Sequence, residues 1–189
     1  MAKRVPMLNE QEIALVIRTV DGYGPPGRRL MFSALYILLG NVGLRISEAL
    51  SLRWQDVDFL RSELTIRSLK QGCGDHGVKR APAPEDTLPV DPKTLAALLA
   101  YQNGGDPADR IFPISRTVAY NVWKRLLCRA GIPHVKLHGL RHGAVTRWVE
   151  TGDLAFAMAM ARHKSLSTTS RYTHCRMLRE KFARVEPVG

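Results

Sequence analysis

Apolar positions along the chain recur mostly at the three-to-four spacing of helices. One short stretch instead alternates with the period of a strand. Asn9 stands ahead of the first helical segment with Glu12 three residues on, which predicts a capping box, and Leu8 with Ile13 forms a staple across it. A strongly apolar helix follows from Arg28 to Leu39, stopped by Gly40, Asn41 and Gly43. "LRISEALSL", Leu44 to Leu52, resumes helical spacing. "ELTIRS", Glu63 to Ser68, reads as a strand, "QGCGDHG" as a turn, and "TLPV", Thr87 to Val90, as a short returning strand. Asp91-Pro92 opens a helix with proline at its first position. Ser115 caps another that ends near Gly131. "LHGLRHGAVTRWVE" is helical up to Gly152, Asp153 opens "LAFAMAMA", and "MLREKFARV" forms a last helix with Met177, Leu178, Phe182 and Val185 on one face. There is no linker, internal repeat or low-complexity run. The pattern predicts one domain over residues 1–189: mostly α, of α+β type, a helical domain carrying a small antiparallel sheet or hairpin.

Composition adds a partner class. The 189 residues are 45% hydrophobic, enough for a sizeable core, and carry 28 Lys+Arg against 17 Asp+Glu, a net charge of +11 with a pI near 10.1. That field suits a polyanion, with nucleic acid first. The longest apolar stretch, Leu30 to Leu39, is too short to span a bilayer, and "MAKRVPMLNEQE" lacks the apolar core of a signal peptide. Cys73, Cys128 and Cys175 are odd in number and far apart, giving neither a disulfide framework nor a zinc spacing. The expected compartment is a reducing cytoplasm.

Two familiar patterns fail on context. GxGxxG occurs at Gly22–Gly27 and at Gly72–Gly77, but the first follows a helix and contains two prolines, and the second runs into "VKRAPAPED". Neither has the strand before and helix after that a dinucleotide site needs, so both read as turns. His138 and His142 have a metal-like spacing, but Arg141 between them would repel a cation.

What remains suits a phosphodiester. Its attacked phosphorus gathers negative charge on the non-bridging oxygens, which arginine forks match bidentately at any working pH. The leaving oxygen needs a proton, best from a cationic acid. Arg45, Lys70, His138, Arg141, His163 and Tyr172 supply these types, and His138 and Arg141 lie one helical turn apart. Singly, each has an ordinary reading: a solvated helix arginine, an edge-strand lysine, a capping histidine, an amphipathic surface tyrosine. "RHKSLSTTSRYTH", Arg162 to His174, surrounds that tyrosine with cations and hydroxyls.

The order of these pieces is more specific. "GLRISEAL", a lysine on a hairpin, "HGLRH" and "HKSLSTTSRYTH" together resemble the tyrosine recombinase (phage integrase) catalytic domain, from about Leu8 to Tyr172 and beyond. The resemblance implies Arg45 and Arg141 as an arginine pair, His138 and His163 as their partners, Lys70 as general acid, Tyr172 as nucleophile and Glu48 as the residue orienting Arg45. Lys79 is a rival for the acid. Lys79, Arg80, Lys164 and Arg171 are expected to contact DNA, as is Arg162, bulky where the family has glycine, whose alternative reading is that it repositions His163. The implied activity is site-specific DNA cleavage and rejoining through a 3′-phosphotyrosyl bond, with no metal, ATP or other cofactor. The implied partners are double-stranded DNA, further copies of the chain (a tetramer at synapsis) and accessory proteins. A catalytically decayed DNA-binding regulator and a type IB topoisomerase-like strand transferase are the alternatives. The chain departs from the family pattern in places. Ala161-Arg162-His163 stands where the family usually reads Leu-Gly-His, the stretch from Arg141 to His163 is about one residue short, and the Lys70 hairpin is long and glycine-rich. The resemblance starts almost at the first residue, so the expectation is a catalytic domain without the usual N-terminal core-binding domain.

Overall fold

The computed structural model describes residues 8–67, 85–102, 104–150 and 154–162. Helix α1 (Glu10–Arg18) starts with the expected capping box. The Asn9 side chain accepts from the Glu12 N–H and the Glu12 carboxylate accepts from the Asn9 N–H, both at 2.8 Å. A turn of 3-10 helix (Thr19–Gly22) leads to α2 (Pro26–Asn41). This helix is longer than its apolar pattern. Pro26, pre-set for a first turn, and Gly27 are helical, and the helix runs past Gly40 because Gly40 is packed between Ile13 and Leu140. The first GxGxxG is therefore part loop and part helix start, still without a preceding strand. The second lies outside the described residues.

The stretch Leu44–Leu52 is not one helix. Only a single turn forms, α3 (Ile46–Ala49), because Arg45 is extended ahead of it and the chain turns at Leu50. A 3-10 turn (Trp54–Asp56) then leads into β1 (Val57–Asp58), a two-residue strand that the periodicity does not reveal. With β2 (Glu63–Arg67) and β3 (Glu85–Pro89) it makes a three-stranded antiparallel sheet in the order β1-β2-β3. Strand β3 begins two residues before "TLPV", because register carries pairing back to Arg67 opposite Glu85. Leu64 faces Leu88 across that register, and with Ile66 they bury one side of the sheet.

Helix α4 (Pro92–Tyr101) has Asp91 as its cap and Pro92 at its first position. Helix α5 (Arg116–Arg129) is capped by Ser115 and closed by Gly131 at φ 66°. Helices α6 (His138–Glu150) and α7 (Leu154–Ala161) complete the described chain. The "MLREKFARV" segment lies outside it. Helix α2 is the central rod. Phe32, Leu35, Tyr36, Leu38 and Leu39 are buried among α4, α5 and α6, and the Tyr36 hydroxyl donates to the Ala119 carbonyl at 2.9 Å. Polar ties hold the helix ends. The Asn41 amide donates to Thr94 at 3.1 Å, and Arg147 donates to the Gly40 carbonyl while pairing with Glu10 at 3.5 Å. The Arg147 bond satisfies a carbonyl in the last turn of α2, where intrahelical partners run out. Among the described residues, no helix is long and apolar enough to cross a membrane.

Candidate active site

The end of α2 delivers the chain to Gly43, Leu44 and Arg45, a non-helical link to α3 in which Arg45 is extended. Gly43 has φ 63°, a left-handed conformation that glycine adopts without strain. A Cβ there would lie 2.7 Å from the Trp148 ring and 3.3 Å from Ala144 on α6, so this glycine also permits close approach of the two segments. Its carbonyl accepts a hydrogen bond from Nη1 of Arg141, while Nη2 of Arg141 donates to the Ala161 carbonyl at the end of α7. Arg141 is 4% exposed. One guanidinium thereby links three segments distant in sequence, and two fixed carbonyls set its plane.

Arg45 caps α3, and its side chain is about one-third exposed. Glu48, one turn on and 4% exposed, holds it twice: Oε1 accepts from Arg45 Nη1 and Oε2 from the Arg45 backbone N–H, each at 2.8 Å. Burial pushes the Glu48 carboxyl up. The Arg45 hydrogen bonds and the Arg162 and Arg45 charges outweigh it, so the carboxyl sits below its ordinary range and stays ionised. Glu48 thus contacts both the backbone and the guanidinium of Arg45.

His138 opens α6. Arg45 and His138 line one cleft of about 250 Å³, together with Ser47, Arg116, Tyr120 and Leu137. Desolvation against the cleft wall, then His142, Arg141 and Arg45, pushes the His138 ring down to about 4, so it is neutral at pH 7. His142 packs edge-on against it, with centroids 4.6 Å apart, and is lowered by burial and by Arg141. A neutral imidazole offers one N–H donor without adding a charge. Pattern reading missed Arg116, Tyr120 and Ser47 in this cleft. Arg116 is the first helical residue after the Ser115 cap and lies over the Tyr120 ring at 5.4 Å. The serine cap, placing a cation at the start of α5, was the only local signal.

Arg162, expected among the DNA contacts, is placed otherwise. Its side chain is 10% exposed, and its guanidinium is engaged by Glu48 and by Asp86 of β3. Lys70, Lys79, Arg80, His163, Lys164, Arg171 and Tyr172 lie outside the described residues. The structure thus brings together Arg45, Glu48, His138, Arg141 and Arg162.

A sequence model of the phage integrase family matches residues 8–179. Tyrosine recombinase XerD of Neisseria meningitidis is 31% identical over 187 residues, which cover 91% of this chain and 60% of that protein. The chain spans about three fifths of the length of that relative. The catalytic domain of bacteriophage HP1 integrase has the same fold, with a TM-score of 0.69 at 20% identity, covering 98% of this chain and 97% of that one. The XerH site-specific recombinase bound to difH substrate gives 0.74 at 19% identity, covering 98% and 56%.

Proposed function

The chain belongs to the phage integrase family, and from that premise we propose that it is a tyrosine-type site-specific recombinase, cutting and rejoining double-stranded DNA through a 3′-phosphotyrosyl intermediate. The observation that carries the reading is the assembled cluster: Arg45 held by Glu48, Arg141 held by the Gly43 and Ala161 carbonyls, and a neutral His138 sharing the Arg45 cleft. Such fixed donors are worth most where charge develops, typically about 3–4 kcal/mol per well-placed donor.

In the proposed reaction a DNA phosphate enters beside Arg45 and His138. The arginine pair takes the non-bridging oxygens, and His138 donates an N–H to one of them. Tyr172 Oη attacks phosphorus and gives up its proton to solvent water as the new P–O bond forms. The bond to the 5′ oxygen breaks, and Lys70, or its rival Lys79, protonates that oxygen. Arg116 and Ser47 contact flanking phosphate, as do Lys79, Arg80, Lys164 and Arg171. The phosphotyrosyl bond conserves the energy of the broken linkage, so a free 5′ hydroxyl reverses the step with neither ATP nor a metal ion. When that hydroxyl comes from another duplex, the outcome is strand exchange. The proposed setting is cytoplasmic, on the nucleoid, with copies of the chain assembled on paired sites, four at synapsis, alone or with accessory proteins.

The test begins with a site recovered by binding selection from a random-sequence duplex pool, then nicked so that the cleaved strand is released. The wild type should form an adduct that survives denaturing electrophoresis. Tyr172→Phe, which removes one oxygen and no charge, should abolish it while leaving DNA affinity nearly intact. No adduct from the wild type, or an adduct persisting in the Phe variant, would reject the reading. An adduct also rules out a decayed regulator, and recombinant product from two full sites separates exchange from simple relaxation.

A further inference from the structure

Arg162 sits where backbone geometry argues against arginine. Its φ is 51°, in the left-handed region, and its N–H closes α7 on the Ala159 carbonyl at 3.0 Å. Helices commonly end on such a residue, and glycine is the usual occupant because any Cβ there is strained. A side chain retained at that cost has a use elsewhere. Here the guanidinium enters the active-site cluster. Nη2 meets Oε2 of Glu48, and Nη1 lies 3.7 Å from Oδ2 of Asp86 on β3. Its Nε is buried without an acceptor among the described residues. A buried ion pair with an unmet donor contributes little net stability, so stability does not account for it.

Geometry does. The two Glu48 oxygens have separate tasks. Oε1 receives the Arg45 guanidinium, and Oε2 receives both the Arg45 backbone N–H and Arg162. With only the Arg45 N–H on Oε2 the carboxylate can still turn about its last torsion; a second donor on that oxygen, from a segment 114 residues away, narrows that motion, so Oε1 presents Arg45 with a more closely fixed acceptor direction. We propose that Arg162 is a positioning residue for Arg45, acting through the Glu48 carboxylate and anchored to the sheet by Asp86. Its backbone neighbour contributes to the same cluster, since the Ala161 carbonyl receives Arg141. One turn of chain at the end of α7 therefore sets both arginines. The catalytic consequence rests on the reading of Arg45 as a phosphate-binding group.

The experiment has an arm without DNA and an arm with it. In the first, the guanidinium N–H signals of Arg45 are followed by NMR, assigned by their loss in Arg45→Lys. Arg162→Met and Arg162→Gly should both shift and average them. In the second, single-turnover adduct formation on the selected nicked duplex should fall about tenfold in both variants, the scale of one charge-assisted hydrogen bond, with affinity within about twofold. The two variants differ in stability. Arg162→Met keeps the backbone strain and loses the pairing, whereas Arg162→Gly loses both and should melt higher than the Met variant. Equal cleavage defects at unequal melting temperatures mark positioning. Arg162→Lys, which reaches one carboxylate but cannot fork between two, should restore part of the rate. Unchanged Arg45 signals in both variants would overturn the proposal, as would a cleavage defect that tracks melting temperature, with Arg162→Gly near wild type. If the wild type itself forms no adduct, the recombinase reading fails, and the first arm still decides whether Arg162 holds Arg45.

Discussion

Gly43 carries two burdens that can be separated by substitution. Its φ of 63° alone would cost alanine about 1–2 kcal/mol, the penalty for an L residue in the left-handed region. The added Cβ would also stand 2.7 Å from Trp148 Cη2 and 3.3 Å from Ala144 Cβ. The Trp148 ring is the far end of a side chain and can swing, but its edge abuts Phe156 with centroids 6.3 Å apart, so the movement is resisted. Overpacking of this kind costs about 1–3 kcal/mol. Gly43→Ala should therefore destabilise the domain by about 2–5 kcal/mol, lowering its thermal midpoint by roughly 4–20 °C. Gly131 has a similar φ, 66°, with nothing within 4 Å of its would-be Cβ, so Gly131→Ala should cost only the backbone share, about 1 kcal/mol. Gly27 is helical and equally open, so Gly27→Ala should gain a few tenths to about 1 kcal/mol. Calorimetry or urea unfolding of the three variants measures the series. Function adds a second readout, because the Gly43 carbonyl receives Arg141. At a temperature where Gly43→Ala and Gly131→Ala are both folded, only the former should lose adduct formation. A Gly43 variant no less stable than the Gly131 variant, and equally active, would refute the claim that close approach at Gly43 sets Arg141.

Three further outcomes are expected. Arg141→Lys keeps the charge but cannot span the Gly43 and Ala161 carbonyls, so single-turnover cleavage should drop about a hundredfold or more, as should that of Arg45→Lys, with modest change in binding by gel shift; equal losses in both assays would mean the arginines only grip the backbone. The His138 ring, at about 4, lies below its unfolded value, so the stability it lends is complete above about pH 6.5 and is lost as pH falls toward 4; because the ring packs on the cleft wall on one side and meets solvent on the other, solvent screening keeps that loss small. An NMR titration should place its midpoint below that of a free histidine, and a midpoint at or above it would contradict the assignment. DNA affinity should fall with a log–log salt slope of about −0.9 per phosphate contact, and Arg116→Ala should make the slope shallower by about 1; an unchanged slope would remove Arg116 from the interface.

Local chemistry determined much of this protein before any fold was considered. The Asn9, Asp91 and Ser115 caps, the Pro92 start, the Gly131 stop and the alternation in β2 are relations among residues within a turn of one another, so they are written in adjacent letters. The same holds for Arg45 with Glu48, and for the order of Arg45, His138 and Arg141 along the chain. Where pattern misled, packing had intervened. Leu44–Leu52 has helical spacing but makes one turn, because its apolar residues are buried from an extended and turning backbone. Strand β1 is too short to show a period. The site's finer geometry was out of reach for a stronger reason. Arg141 meets a carbonyl 98 residues away and Arg162 a carboxylate 114 residues away. A cation in a basic sequence looks the same whether it faces phosphate or a buried glutamate. Only the closing of α7 onto α3 and β3 decided that Arg162 is turned inward, because only there does a desolvated carboxylate outcompete water for it.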